Sequence, residues 1–73
     1  MKEKIKEIMA AVFEMNAADI KDSADSTTIP NWDSLNQMNL IVALEDEFNL
    51  RFEDDEIVEL TSFESIENYL KSK

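Results

Sequence analysis

The group best placed for chemistry in this sequence is the hydroxyl of Ser34. Asn31-Trp32-Asp33-Ser34-Leu35 follows the chain's one proline, Pro30, and opens a long amphipathic pattern. A serine oxygen there can accept a hydrogen bond from a first-turn N–H and so cap a helix. It also stands beside the positive end of the helix dipole, where a phosphate ester would lie in a field suited to an anion. Nothing nearby equips it as a catalytic nucleophile. The chain has no histidine and no cysteine, so the only bases are lysines and carboxylates, and carboxylates on a helical surface are normally solvated. Glycine is absent as well, which excludes a glycine-rich phosphate loop. The paired acids Asp54-Asp55 do not amount to a specific metal site, and the aspartates between residues 16 and 33 lack calcium-loop spacing. The residues therefore predict a modifiable hydroxyl and no enzyme.

The elements that must hold this serine are helical. Ile5, Ile8, Met9, Val12 and Phe13 recur at the spacing of one helix face, which predicts a first helix over about residues 3–15. Asn16 is the expected terminator, because asparagine tolerates the left-handed conformation. A polar stretch follows, rich in Asp, Ser and Thr that bond their own backbone in turns. Ile20 and Ile29 are expected to pin this long loop to the core. The second helix is expected from Leu35 to about Phe48 or Asn49. At 100° per residue, Leu40, Ile41, Leu44 and Phe48 share the arc that faces the core. Leu35, Met38 and Val42 fall on a second arc beside Ser34, with Glu45 and Asp46 at its far end. An exposed apolar strip rimmed by charge often marks a protein–protein site; the alternative is a helix buried on two sides. The acidic run Glu53-Asp54-Asp55-Glu56 suits the start of a short third helix, about residues 53–59. Thr61 with Glu64 reads as a capping box for a fourth helix to about Lys71, with Phe63, Ile66, Tyr69 and Leu70 inward. The fold expected is all-α: a small four-helix bundle, three longer helices and one short third, with a long loop after the first.

Seventy-three residues are expected to form one domain, residues 1–73. A chain of this size buries about 60% of its unfolded surface, so stability should be modest. Seventeen acidic against seven basic residues give a formal net charge of −10. Such a surface repels nucleic acid and anionic membranes and draws in basic protein surfaces. No apolar run is long enough to span a bilayer, and Met1-Lys2-Glu3-Lys4 is not followed by a signal-peptide core. A cytoplasmic monomer is the expectation.

Asp33-Ser34-Leu35 followed by Leu40-Ile41-Val42-Ala43-Leu44-Glu45-Asp46-Glu47-Phe48 resembles the acyl carrier protein family, and the resemblance extends over essentially the whole chain. It implies that Ser34 carries a 4′-phosphopantetheine arm, joined from coenzyme A by a phosphopantetheinyl transferase, whose thiol holds acyl groups as thioesters. It implies docking of the transferase and of acyl-loading and acyl-processing enzymes with basic surfaces on Asp33, Leu35, Met38, Val42, Glu45 and Asp46. For a cargo shelter between the second helix and its neighbours, the predicted faces make Leu44, Ile57, Leu60 and Ile66 the candidate walls. The chain departs from the family pattern at Asn36 and Asn39, where fatty-acid-synthesis carriers usually have acids. It departs again at Trp32, where a small residue is common, and Gln37 is neutral too. Surface charge steers partner choice, so these changes point to a specialised lipid or secondary-metabolite carrier. A peptidyl or aminoacyl carrier and an unmodified acidic adaptor are the alternatives.

Overall fold

The first helix, α1, spans Lys2–Phe13 in the computed structural model, which describes residues 2–72. Ile5, Met9 and Phe13 are buried, and Ile8 and Val12 pack at the edge of the core. The helix stops two residues before the expected boundary. Glu14 takes the left-handed conformation at φ 56°, and the Met15 N–H donates to the Ala10 carbonyl at 3.0 Å. That six-residue closure satisfies a carbonyl the helix end would leave open. Asn16, the expected terminator, is extended instead and leads into a single 3₁₀ turn at Ala17–Asp19. The early stop brings Ile20 round into the core, where it is buried.

The connection that follows is ordered by burial and backbone pairing. Ile20 and Ile29 are both buried, as expected, and Ala24 and Trp32 join them. Ser26 N–H donates to Thr61 O at 3.0 Å, and Phe63 N–H donates to Ala24 O at 2.9 Å. These bonds flank an isolated antiparallel bridge between Asp25 and Ser62. The Asp25 carboxylate accepts from the Thr27 hydroxyl and from the Thr27 and Thr28 N–H groups. Those donors hold its pKa below the ordinary carboxylate value.

The second helix, α2, runs Ser34–Phe48 and ends on Asn49 in the left-handed conformation. Leu50 N–H closes it on Glu45 O at 3.2 Å. Leu40, Ile41 and Leu44 are buried and Phe48 is partly buried against them, which is the arc the periodicity predicts. The third helix, α3, is a single turn, Asp54–Ile57, shorter than the expected 53–59; the Glu53 N–H donates to the Glu56 side chain at 2.7 Å. The fourth, α4, spans Phe63–Lys71. Its cap is Ser62, not Thr61. Ser62 Oγ accepts from Ser65 N–H at 3.0 Å, and Ser65 Oγ accepts from Ser62 N–H at 3.2 Å. The expected Thr61–Glu64 pair does not form because the Thr61 N–H that Glu64 would accept from is bonded to Glu59 O at 3.0 Å. Phe63, Ile66 and Leu70 face inward, and Tyr69 lies 4.8 Å from Phe52, ring to ring. The result is the expected all-α arrangement: four helices around one apolar core, with a long loop after the first.

The long loop is also held by charge. Lys6 and Lys2 reach Asp22 at 2.7 and 2.9 Å, and their hydrogen bonds pull its carboxyl from the ordinary 3.8 down to about 2. The sign follows from the depressed folded-state value: the stabilisation is present above the ordinary pKa and is lost as pH falls through about 2. We expect the stability difference between wild type and Asp22→Asn, measured by denaturant unfolding, to be present above pH 3.8. It should shrink toward zero near pH 2 and weaken in high salt, because the pair is exposed. A difference that is flat with pH would remove the ion pair from the account.

Candidate functional site

The first turn of α2 is closed by Asp33, not by Ser34. Asp33 is extended, its Oδ1 accepts from Asn36 N–H at 2.8 Å, and its carbonyl accepts from Gln37 N–H at 2.8 Å. The sequence reading gave Ser34 the cap. The shift by one residue matters chemically, because an aspartate in the cap leaves the serine as the first helical residue with nothing to do for the backbone. Ser34 is exposed, and its hydroxyl has no hydrogen-bond partner among the described residues. Three of the other five serines are engaged. Ser62 and Ser65 bond each other's backbone, and the Ser72 hydroxyl donates to Tyr69 O. Ser23 and Ser26 lie in the loop, with no helix start behind them.

Side-chain amides fix this turn in place. Asn31 Nδ2 donates to Phe13 O at 2.8 Å, at the end of α1. Asn36 Nδ2 donates to Asn31 O at 2.8 Å, and Asn39 Nδ2 donates to Asn36 Oδ1 at 3.1 Å. Trp32 is buried against Phe13, with ring centroids 4.8 Å apart. Its Nε1–H donates to Gln37 Oε1 at 2.5 Å. Gln37 Nε2 in turn donates to Ile57 O at 3.1 Å and Leu60 O at 3.0 Å. Gln37 thus links the arm of Trp32, the front of α2 and the end of α3. Sequence reasoning missed it, treating it only as a lost charge. The available signal was the tryptophan itself: a buried indole N–H needs an acceptor, and Gln37 stands one turn into the helix. Truncating Gln37 would strand a buried donor and a carbonyl, a loss of about 1–3 kcal/mol.

The surface around Ser34 is apolar and open. Leu35 is 71% exposed, Met38 50% and Val42 54%, and Val58 beyond α3 is 72% exposed. Between α2 and α3 lies a groove of about 630 Å³ bordered by Trp32, Ser34, Met38, Ile57 and Val58. The carboxylates at the far end of α2 divide. Asp46 is exposed. Glu45 is turned onto the backbone and accepts from Phe52 N–H at 2.9 Å, so its charge is partly spent in holding the loop. Glu47 pairs with Lys4 at 3.2 Å. Of the four expected wall residues only Ile57 lines the groove. Leu44, Leu60 and Ile66 are at most 2% exposed, because the core closes over them.

Residues 3–70 match the family described as phosphopantetheine attachment site. The chain belongs to that family. It is 34% identical over 70 residues to an acyl carrier protein of Clostridium acetobutylicum, covering 96% of this chain and 91% of the relative. It is also 32% identical over 72 residues to the polyketide-8 synthase acyl carrier protein 2 of Streptomyces avermitilis, covering 99% and 83% respectively. The cofactor of a phosphopantetheine attachment family is 4′-phosphopantetheine, and the residues here fit it: an unengaged hydroxyl at a helix start, with an open groove alongside. Among the described residues no helix is long and apolar enough to cross a membrane.

The cap and the hydroxyl can be separated by experiment. Asp33→Ala should destabilise the fold by about 1 kcal/mol, while Asp33→Asn, an equally good cap, should stay within a few tenths of wild type in denaturant unfolding. Equal losses in both variants would show that the charge, not the cap, is what stabilises α2.

Proposed function

We propose that Ser34 is the attachment point and that the protein carries acyl groups for partner enzymes as a specialised acyl carrier protein. The observation that carries this reading is the free Ser34 hydroxyl at the first position of α2, released from backbone duty by the Asp33 cap. A phosphopantetheinyl transferase joins Ser34 Oγ to the pantetheine phosphorus of coenzyme A. The bond to the adenosine bisphosphate half breaks, and the hydroxyl proton is lost. The attached arm supplies the thiol that this cysteine-free chain lacks, and acyl groups are held on it as thioesters. The first-turn N–H groups at Ser34 and Leu35 have no intrahelical acceptor, so the new phosphodiester enters a favourable field.

Leu35, Met38 and Val42 form the apolar face on which partners dock, and the exposed Asp33 and Asp46 offer charge to basic surfaces at its two ends. Glu45 contributes less, since it is bound to the loop. The front of α2 is neutral because its amides are structural donors, a role no carboxylate at Asn36 could fill. Partners are therefore selected mainly by apolar contact near Ser34, with steering from the back of the helix and from the net charge of −10. That arrangement, together with the likeness to a polyketide synthase carrier, supports a specialised pathway.

Incubation with coenzyme A and a broad-specificity phosphopantetheinyl transferase should add one phosphopantetheine by intact mass. The gain should persist in Ser62→Ala and vanish in Ser34→Ala. No gain with several transferases would overturn the carrier reading in favour of an unmodified adaptor; a gain that survives Ser34→Ala would overturn the site.

A further inference from the structure

Behind the groove beside Ser34 lies the core, and Gln37 lines the groove on that side together with Trp32 and Ile57. Gln37 is half-buried and bridges α2 to the last carbonyl of α3, Ile57 O at 3.1 Å, and to Leu60 O beyond it at 3.0 Å. Its carbonyl oxygen is occupied by Trp32 Nε1, and Trp32 is fixed in turn on Phe13. The orientation is determined. Only the amide nitrogen can donate to two carbonyls, so the oxygen must be the one facing the indole. A chain entering the core between α2 and residues 57–60 would have to part all three bonds at once. Inside it would meet Leu40, Leu44 and Ile66, each fully buried.

We propose that Gln37 is a specificity-determining bolt that keeps cargo out of the core and leaves it in the outer groove. This rests on the reading of Ser34 as the attachment site. The groove is open and shallow. Met38, Ile57 and Val58 give it apolar wall, while Ser26 and Thr61 bring hydroxyl groups. It suits short or oxygenated acyl groups better than long saturated ones, which would need the closed interior to leave water.

The test uses the full-length protein loaded from acyl-coenzyme A by a broad-specificity transferase, with butyryl, octanoyl and dodecanoyl groups. Loading is checked by intact mass, and side-chain methyl NMR reads where the chain lies. In wild type the Met38 and Val58 methyl signals should move, while those of Leu44 and Ile66 stay fixed at every length. Gln37→Val removes the bolt. Gln37→Glu keeps an acceptor for Trp32 but sets a carboxylate against the two carbonyls. Either variant that keeps the wild-type helical spectrum should show Leu44 and Ile66 shifts that grow with chain length. Length-dependent shifts of those core methyls in wild type would overturn the bolt while leaving the carrier reading intact. So would variants indistinguishable from wild type. A chain that gains no mass would overturn the attachment reading and this inference with it.

Discussion

The structure depends on how the first turn of one helix satisfies its backbone. Every helix start leaves N–H groups without an intrahelical acceptor, and at α2 the Asp33 carboxylate takes the one at Asn36. Because the cap comes from the residue before it, Ser34 enters the helix with an unoccupied hydroxyl at the surface. At α4 the opposite choice is made. Ser62 caps its own helix, is bound to Ser65, and is tied by the loop bridge. Two serines at two helix starts in one small chain therefore differ in chemistry through a single offset: whether the serine is the cap or follows it.

The neutral front of α2 has a packing explanation. Asn31, Asn36 and Asn39 pass hydrogen bonds from the end of α1 to the second turn of α2, and Gln37 separately ties the front of α2 to α3. Each acts as a donor to an oxygen, which a carboxylate cannot do. The amides that remove charge from the front of the helix are the same groups that position it. Trp32 belongs with Gln37, as an indole buried against Phe13 and held by that amide. The departures from the acyl carrier pattern thus fall into two bonded pairs, residues 36 and 39 in one and residues 32 and 37 in the other. Glu45, within the acidic end of α2, is likewise drawn into the backbone of the following loop.

Much of this was legible in the sequence. The 3.6-residue period located α1, α2 and α4, and it separated the buried Leu40, Ile41 and Leu44 from the exposed Leu35, Met38 and Val42. Such patterns are readable because each helix must bury one stripe. Boundaries were harder, since they depend on contacts distant in sequence. The cap of α4 is Ser62, beside the Thr61 carbonyl that pairs with Ser26 across the fold. Helix α1 ended at Glu14 rather than Asn16, with a non-glycine residue in the left-handed region of a chain that has no glycine. Within the site, the sequence placed Ser34 at the helix start but put the cap one residue late. It could not show Gln37, whose importance lies in two carbonyls 20 and 23 residues away.

The most direct test of the central claim is to digest the protein after transfer from coenzyme A and locate the added group residue by residue. The account expects it on Ser34 alone, since that is the hydroxyl left free at a helix start. Modification at Ser26 or at the capping Ser62 would contradict it, because the backbone constraint would then not be what selects the site.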